Sequence, residues 1–252
     1  MDFTGKNILI TGASRGIGKA TAIAFAEKGA KVGLNFRSNT EEAERTLSQL
    51  SGSGHQLFQQ DVSEKNGPET LVHKFIEHYG QLDILVNNAG ISIFHDIEEV
   101  DFDHWANAWE NIFNTNLFAV SNLCYWGAKA MMQSGGGKIV NVSSRGAFRG
   151  EPTKPAYGAS KAALNSMSQS LAKKLAKHHI HVGVVAPGFT ETEMAAETLT
   201  PVERENLLRE SPFQRMAQPE EVAHAILFLA SEGAGYSSGT IIDVNGASYL
   251  RS

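Results

Sequence analysis

The chain has little of three things that mark large classes of proteins: cysteine, long apolar runs and an excess of basic charge. Cys124 is the only cysteine among 252 residues, which excludes an internal disulfide framework and favours a reducing compartment. No apolar run approaches the roughly 20 residues of a membrane-spanning helix, and the first residues lack the layout of a signal peptide. A net charge of −5 offers no basic surface to nucleic acid or membranes. We therefore expect a soluble, cytoplasmic protein.

What the chain does contain is a regular alternation of short apolar runs with longer helical patterns. The apolar runs predict strands at 6–10, 30–36, 55–60, 82–86, 138–142, 180–185 and 240–244. The helical patterns predict helices ending near 26, over 40–50, 64–79 and 104–133 (broken or kinked near 111–116), and starting near 157 and 219. This alternation predicts an α/β fold with a doubly wound parallel sheet, Rossmann-like, in one domain over 1–252. We expect the dinucleotide-binding part at about 5–150 and a substrate lid at about 189–212.

A glycine-rich turn joins the first predicted strand to the first helix. It reads Thr11-Gly12-Ala13-Ser14-Arg15-Gly16-Ile17-Gly18, with the spacing G-x-x-x-G-x-G. Such a turn presents backbone N–H groups and a helix N-terminus to a phosphate. The sequence therefore predicts a nucleotide-phosphate site here.

Tyr157 and Lys161 are four residues apart at the start of a helical stretch, so their side chains share one face of that helix. An ammonium group beside a phenol stabilises the phenolate and lowers a pKa that is ordinarily about 10. We expect such a phenol to exchange protons near neutral pH, as the interconversion of a carbonyl and an alcohol requires. The pair is weak evidence by itself, because tyrosine and lysine at this spacing are common on solvated helix faces.

Taken together, the motifs resemble those of the short-chain dehydrogenase/reductase family, from Lys6 to Leu250. The matching motifs, in family order, are Thr11–Gly18, Asp61, Asn87–Gly90, Asn116, Ser144, Tyr157 with Lys161, and Pro187-Gly188. Within the family the chain is most similar to the 3-oxoacyl-acyl-carrier-protein reductase branch. The supporting stretches are Val185–Thr192, Gln218–Ala223 and Val244–Gly246.

The resemblance implies a catalytic set of Asn116, Ser144, Tyr157 and Lys161. Tyr157 would be the general acid in reduction and the general base in oxidation, and Lys161 would lower its pKa and bind the nicotinamide ribose. Ser144 would polarise the substrate carbonyl, and Asn116 would anchor a water that relays protons to Lys161. Ser143 is the neighbouring candidate, but Ser144 lies thirteen residues before Tyr157, the spacing usual in this branch, and Ser143 fits a structural serine.

The expected cofactor is NADP(H), with NAD(H) as second choice. An acid after the second strand would accept hydrogen bonds from a ribose 2′-hydroxyl, but the stretch there, Asn35-Phe36-Arg37, has none. Arg37 and Arg15 would suit a 2′-phosphate instead. The family implies further cofactor contacts, at Gly12, Ser14, Gly16, Ile17, Gly18, Asp61, Val62, Asn88, Ala89, Gly90, Pro187, Gly188, Thr190 and Thr192 as well as at Tyr157 and Lys161. Asp61 would contact the adenine, and Thr190 and Thr192 would lie beside the nicotinamide carboxamide.

Two departures leave the substrate open. Gly183 replaces an asparagine that this branch often has, and the segment from Ile91 to Asn114 is longer and more aromatic than usual. That aromatic group fits a core or an interface, or a substrate pocket of a different shape. No basic cluster for an acyl carrier protein is evident, although Lys129 and Lys173 are candidate remnants of one.

The leading hypothesis is a carbonyl reductase or alcohol dehydrogenase acting on a small molecule, a homotetramer by analogy with the family. Its rivals are an NAD(H)-dependent sugar or polyol dehydrogenase, a cofactor-binding protein without catalysis, and a metal hydrolase built on three histidines. Those histidines are His178, His179 and His181, and they lack a convincing carboxylate partner, so no metal site is predicted. A lone Cys124 in an apolar helix is expected to be a small buried residue.

Overall fold

The computed structural model describes residues 1–193 and 201–251, and its strands form one seven-stranded parallel sheet. The strands are β1 Asn7–Ile10, β2 Lys31–Phe36, β3 Gln56–Gln59, β4 Ile84–Asn87, β5 Gly137–Val142, β6 Ile180–Pro187 and β7 Ile241–Val244. Their spatial order is β3-β2-β1-β4-β5-β6-β7, and every pairing is parallel. The order reverses between β1 and β4, which opens a crevice at the carboxyl ends of these strands. The predicted fold class is confirmed.

Helices cover both faces of the sheet. They are α1 Gly16–Glu27, α2 Thr40–Leu47, α3 Gly67–Tyr79, α4 Phe102–Phe113, α5 Ala119–Gln133, α6 Gly146–Arg149, α7 Pro155–Leu175, α8 Pro201–Glu210 and α9 Pro219–Ala230. One apolar core joins the sheet to α1 and α9 through Phe25 and Ile226. The other joins it to α3, α5 and α7 through Phe75, Leu123 and Leu164. Because helices cover both faces of the sheet, the strands are continuous apolar runs.

Several predicted boundaries were wrong by a few residues. Helix α2 ends at Leu47 rather than at residue 50, and α3 begins at Gly67, where Pro68 fits the first turn, rather than at residue 64. Strand β6 continues to Pro187, two residues beyond the predicted end, because β7 pairs with it there. The end of a strand depends on the neighbouring strand that pairs with it, and the local sequence pattern does not contain that information.

The predicted break in the long helical stretch is a π-helical turn over Asn114–Phe118, between α4 and α5. Asp101 caps the start of α4, since its side chain accepts a hydrogen bond from the backbone N–H of His104. π-Helical turns are frequent at functional sites. The turn holds Asn116 at the wall of the crevice.

The predicted lid is described only in part, because residues 194–200 lie outside the described residues. Its first residues pair with the chain at Ala217, and Glu191 forms an ion pair with Arg204 of α8 at 2.7 Å. Among the residues that the structure describes, no helix is long and apolar enough to cross a membrane.

Candidate active site

The glycine-rich turn has a backbone that only glycine accommodates well. Gly12 and Gly16 have φ values of +62° and +55°, in the left-handed region. A Cβ atom on Gly18 would lie 2.2 Å from the carbonyl oxygen of Gly12 and 2.6 Å from the amide nitrogen of Asn88. The turn therefore brings its backbone close to the start of α1, as a phosphate-binding turn must.

Asn88 holds this turn in shape. Its side-chain amide donates to the carbonyl oxygens of Thr11 and Gly12, each at 3.0 Å. The Thr11 hydroxyl accepts from the backbone N–H groups of Asn88 and Ala89 at 3.1 Å. The strand-end motif Asn87–Gly90 thus positions the glycine-rich turn from the side.

A carboxylate of the predicted lid segment meets the N-terminus of α1. The backbone N–H of Gly16 donates to Glu193 Oε2 at 3.1 Å, and the side chain of Thr192 packs over Gly16. An anion at this point is favoured by the free N–H groups and the helix dipole. The interaction shows that the helix start accepts a negative group, the property expected of a phosphate site.

Beyond β2, the structure places Arg37 on the surface and keeps Asn35 inside. The buried Asn35 amide donates to the carbonyl oxygens of Phe58 and Gln60, so this residue joins β2 to β3. Asp61 Oδ1 accepts two hydrogen bonds from Ser63, and Val62 is buried. Arg37 and Asp61 thus flank the expected adenosine end of the crevice.

Tyr157, Ser144 and Lys161 meet at the other end of the crevice, where β5 leads into α6 and α7 begins. The Ser144 side chain lies close enough to the Tyr157 phenol to act on its pKa. The Ser144 hydroxyl also accepts from the backbone N–H of Gly146 at 3.0 Å. Ser143 instead donates to the carbonyl oxygen of Lys161 at 3.3 Å and is buried, which fits a structural serine.

The expected lowering of the tyrosine pKa by the lysine is not found. Burial raises the pKa of Tyr157, the Ser144 side chain lowers it in part, and the charge of Glu151 raises it again. Lys161 is only 4% exposed, donates to the carbonyl oxygen of Val142 at 2.9 Å, and has its pKa lowered by burial to about 8. Both groups therefore favour their neutral forms, because the cost of burying a charge exceeds the stabilisation that the two side chains give each other.

Asn116 is completely buried beside this group. Its side chain forms two hydrogen bonds with the backbone of Ile91, of 2.8 and 2.9 Å, and donates to the Ser160 hydroxyl at 3.3 Å. A Cβ atom on Gly90 would lie 3.3 Å from Asn116 Oδ1 and 3.4 Å from Lys161 Nζ. Gly90 therefore lets the chain pass directly over both side chains.

The turn after β6 completes the wall of the crevice. The backbone N–H of Gly188 donates to the carbonyl oxygen of Val244, and the buried Thr190 hydroxyl donates to that of Gly188 at 3.3 Å. Gly183, the departure noted in β6, packs against Leu229 of α9, where a Cβ atom would lie 3.0 Å from the leucine side chain. This glycine serves helix packing.

Three side chains near the site were missed in the sequence. Arg145 directly follows Ser144 and is buried, Glu151 lies against Gly146 and Gly158, and His95 is fully buried with Nε2 accepting from the backbone N–H of Ala156 at 3.1 Å. The aromatic residues of α4 pack beside His95: Trp105, Trp109 and Phe113. For these three residues, the sequence offers one local signal, which is that Arg145 directly follows the serine expected to be catalytic.

Two further expectations concern Cys124 and a metal site. Cys124 is buried, as predicted, and burial raises the pKa of its thiol to about 12, against hydrogen bonds with Asn141 and Asn87 that lower it. Within residues 1–193 and 201–251, no group of three or more His, Cys, Asp or Glu side chains is placed to hold a metal ion.

The comparisons agree with this geometry. The family model described as short chain dehydrogenase matches residues 6–202. The chain is 38% identical over 251 residues to 3-oxoacyl-acyl-carrier-protein reductase FabG of Thermotoga maritima, covering 98% of each chain, and 37% identical to FabG of Haemophilus influenzae, covering 98% and 99%. A solved structure of a candidate short-chain alcohol dehydrogenase from Sinorhizobium meliloti 1021 superposes with a TM-score of 0.90 at 33% identity, covering 98% of this chain and 97% of that one. The chain belongs to the short-chain dehydrogenase family.

Proposed function

We propose that this protein is an NADP(H)-dependent oxidoreductase that interconverts a carbonyl group and a secondary alcohol. The observation that carries the proposal is the convergence of the Tyr157 phenol, the Ser144 side chain, which acts on the phenol's pKa, and the buried Lys161. Two hydroxyl groups this close together can both reach one carbonyl oxygen, where one donates a proton and the other stabilises developing negative charge.

The protonation of Tyr157 suits the reductive direction. Its raised pKa keeps the phenol protonated near neutral pH, the form that a general acid requires. Lys161, one helical turn further along α7, and Asn116 lie near it. Asn116 donates to the Ser160 hydroxyl, which in turn donates to the carbonyl oxygen of Tyr157 at 2.8 Å. We assign proton supply to this group and polarisation of the carbonyl to Ser144. The nicotinamide, when bound, supplies or accepts the hydride.

The residues present fit a dinucleotide. Gly18 leaves the space that a Cβ atom would fill, and the start of α1 already accepts a carboxylate from Glu193. Arg37 is exposed at the end of β2, where an acid would select NAD(H). These features support NADP(H), with Arg15 and Arg37 at the 2′-phosphate and Asp61 at the adenine.

The relatives narrow the substrate class. Two of them are named 3-oxoacyl-acyl-carrier-protein reductases, so a 3-oxoacyl thioester is a candidate substrate. We also propose a single domain, a cytoplasmic location and a homotetramer. Phe118 and Tyr125 lie exposed in and after the π-helical turn, which supports a contact between copies.

The test is oxidation of NADPH, followed by absorbance, with a panel of ketones, 3-oxoacyl thioesters and sugars. Tyr157→Phe should abolish turnover while NADPH binding is retained, and Tyr236→Phe, at a fully exposed tyrosine, serves as the matched control. No turnover with any compound, or near-full activity of Tyr157→Phe, would contradict the proposal.

A further inference from the structure

The residue after Ser144 is a buried arginine whose position is fixed by the body of the protein. Arg145 is 3% exposed, its guanidinium stacks over the Phe189 ring at 4.6 Å, and its backbone N–H donates to the carbonyl oxygen of Pro187. These contacts come from the turn after β6, which belongs to the wall of the active site. Arg145 thus directly follows, in the chain, the serine that would polarise the carbonyl, and its Cα lies about 3.8 Å from that of Ser144.

The anionic partner of Arg145 comes from the lid. Arg145 Nη2 donates to Glu210 Oε2 at 2.7 Å, and Arg149 Nη1 donates to the same oxygen at 2.9 Å. Glu210 is the last residue of α8, and its side chain is 43% exposed. Two guanidiniums therefore meet at one carboxylate oxygen that a lid helix supplies.

Arg145 is left with unused donor capacity. A guanidinium has five N–H donors, yet within the described part of the chain the Arg145 side chain makes one hydrogen bond. It lines a cavity of about 190 Å³, between Phe189, Leu207 of α8 and the segment near Asn245. Glu210 supplies a single oxygen to this buried charge, so donors of Arg145 remain for a further anion. Arg149 also forms an ion pair with Glu151, Nε to Oε1 at 3.5 Å. In place of the shared Glu210 oxygen, a ligand carboxylate could give each arginine its own oxygen.

We propose that Arg145 and Arg149 bind a carboxylate group of the substrate, and that Glu210 occupies this position in the substrate-free protein. The substrate class is then a short oxo acid, and the inference rests on the proposed function. In the reaction the carbonyl carbon gains a hydride from the reduced nicotinamide, the carbonyl oxygen gains the Tyr157 proton, and the carboxylate is unchanged. The product is the hydroxy acid.

The electrostatics of Glu210 agree with a placeholder role. Partial burial would raise the pKa of its carboxyl group, but the Arg145 hydrogen bond and the charges of Arg149 and Arg145 outweigh it and leave the pKa lowered. The position is therefore one where a carboxylate stays ionised. A substrate carboxylate must displace Glu210, so removing the glutamate charge should help an acidic substrate more than a neutral one.

The experiment compares acetoacetate with its methyl ester as probes, using NADPH oxidation. We expect the wild type to prefer the acid at least tenfold in kcat/KM. Arg145→Met and Arg149→Met should each lower the acid-to-ester ratio about tenfold, and Glu210→Gln should lower KM for the acid several-fold. Arg209→Met, at an exposed arginine that pairs with Glu205 on the same helix, should leave the ratio unchanged.

An acid-to-ester ratio near one in the wild type would overturn the inference. So would a ratio that Arg145→Met leaves unchanged in a protein that melts like the wild type. Turnover of the ester shows that the proposed function stands even if the acid is not preferred. If Arg145→Met fails to fold, the ratios of Arg149→Met and Glu210→Gln decide. If neither probe is turned over, calorimetric binding of malonate decides: equal affinity in the wild type and Arg149→Met overturns the inference.

Discussion

The ammonium nitrogen of Lys161 lies 5.9 Å from the centre of the Tyr157 ring and donates instead to the carbonyl oxygen of Val142, at 2.9 Å. The two side chains share a helix face, as their spacing predicts, but the lysine is turned toward the end of β5. The lysine is thus buried against a backbone dipole, and within residues 1–193 and 201–251 it has no carboxylate partner. Its pKa of about 8 follows from this burial.

Lys161 should make stability depend on pH. Its pKa is about 8 in the folded protein and 10.5 ordinarily, so the unfolded chain binds the proton more tightly. Charging the folded lysine costs about 3 kcal/mol, a cost that appears as pH falls from 10.5 and is complete below 8. Relative to Lys161→Met, the wild type should therefore gain about 2 kcal/mol of unfolding free energy between pH 7 and pH 9.5. Urea unfolding at both pH values measures this. An equal change in the free energy of unfolding in the wild type and in Lys161→Met would contradict it.

Gly18 should not tolerate a side chain. A Cβ atom there would overlap the Gly12 carbonyl oxygen and the Asn88 amide nitrogen, at 2.2 and 2.6 Å, so either the turn or α1 must shift. Gly18→Ala should lower the free energy of unfolding by about 3 kcal/mol and weaken NADPH binding at least tenfold. Gly233→Ala is the control, because a Cβ atom there meets no heavy atom within 4 Å. Equal effects of the two substitutions would refute the role assigned to the turn.

His95 should be needed to hold the start of α7. Its Nε2 accepts from the Ala156 N–H, which leaves the hydrogen on Nδ1 to be donated to the carbonyl oxygen of Ile93 at 2.8 Å. His95→Leu leaves a buried N–H without an acceptor next to Tyr157, and should cost about 2 kcal/mol of stability and lower kcat. His95→Gln supplies an amide oxygen for the same N–H and should recover most of both. Chemical denaturation and steady-state kinetics test this, and identical behaviour of the two variants would count against it.

Local motifs predicted the fold, since a strand, a glycine-rich turn and a helix are contiguous in the chain, and they named the residues of the candidate site. The same holds for Tyr157 and Lys161, which are one helical turn apart. The sequence could not reveal contacts made by distant segments, such as Arg145 with Glu210 or Glu193 with Gly16. Nor could it reveal the rotation of Lys161 toward Val142, because burial depends on what packs above the side chain. Charge states at the site therefore had to come from the structure.

Arg37 should decide between the two nicotinamide cofactors. It is exposed at the end of β2, and the guanidinium forms no hydrogen bond or ion pair within the described residues. Arg37→Asp replaces a donor for a 2′-phosphate by an acceptor for a 2′-hydroxyl, so NADPH binding should weaken and NADH binding should strengthen. The ratio of the two dissociation constants, measured by fluorescence titration, should shift by at least about 100-fold, or about 2.7 kcal/mol. Lys177→Asp makes the same change in charge at the opposite end of the sheet, just before β6, and should leave the ratio unchanged. An equal shift in both variants would indicate a general effect of net charge, and no shift in Arg37→Asp would exclude this arginine from cofactor selection.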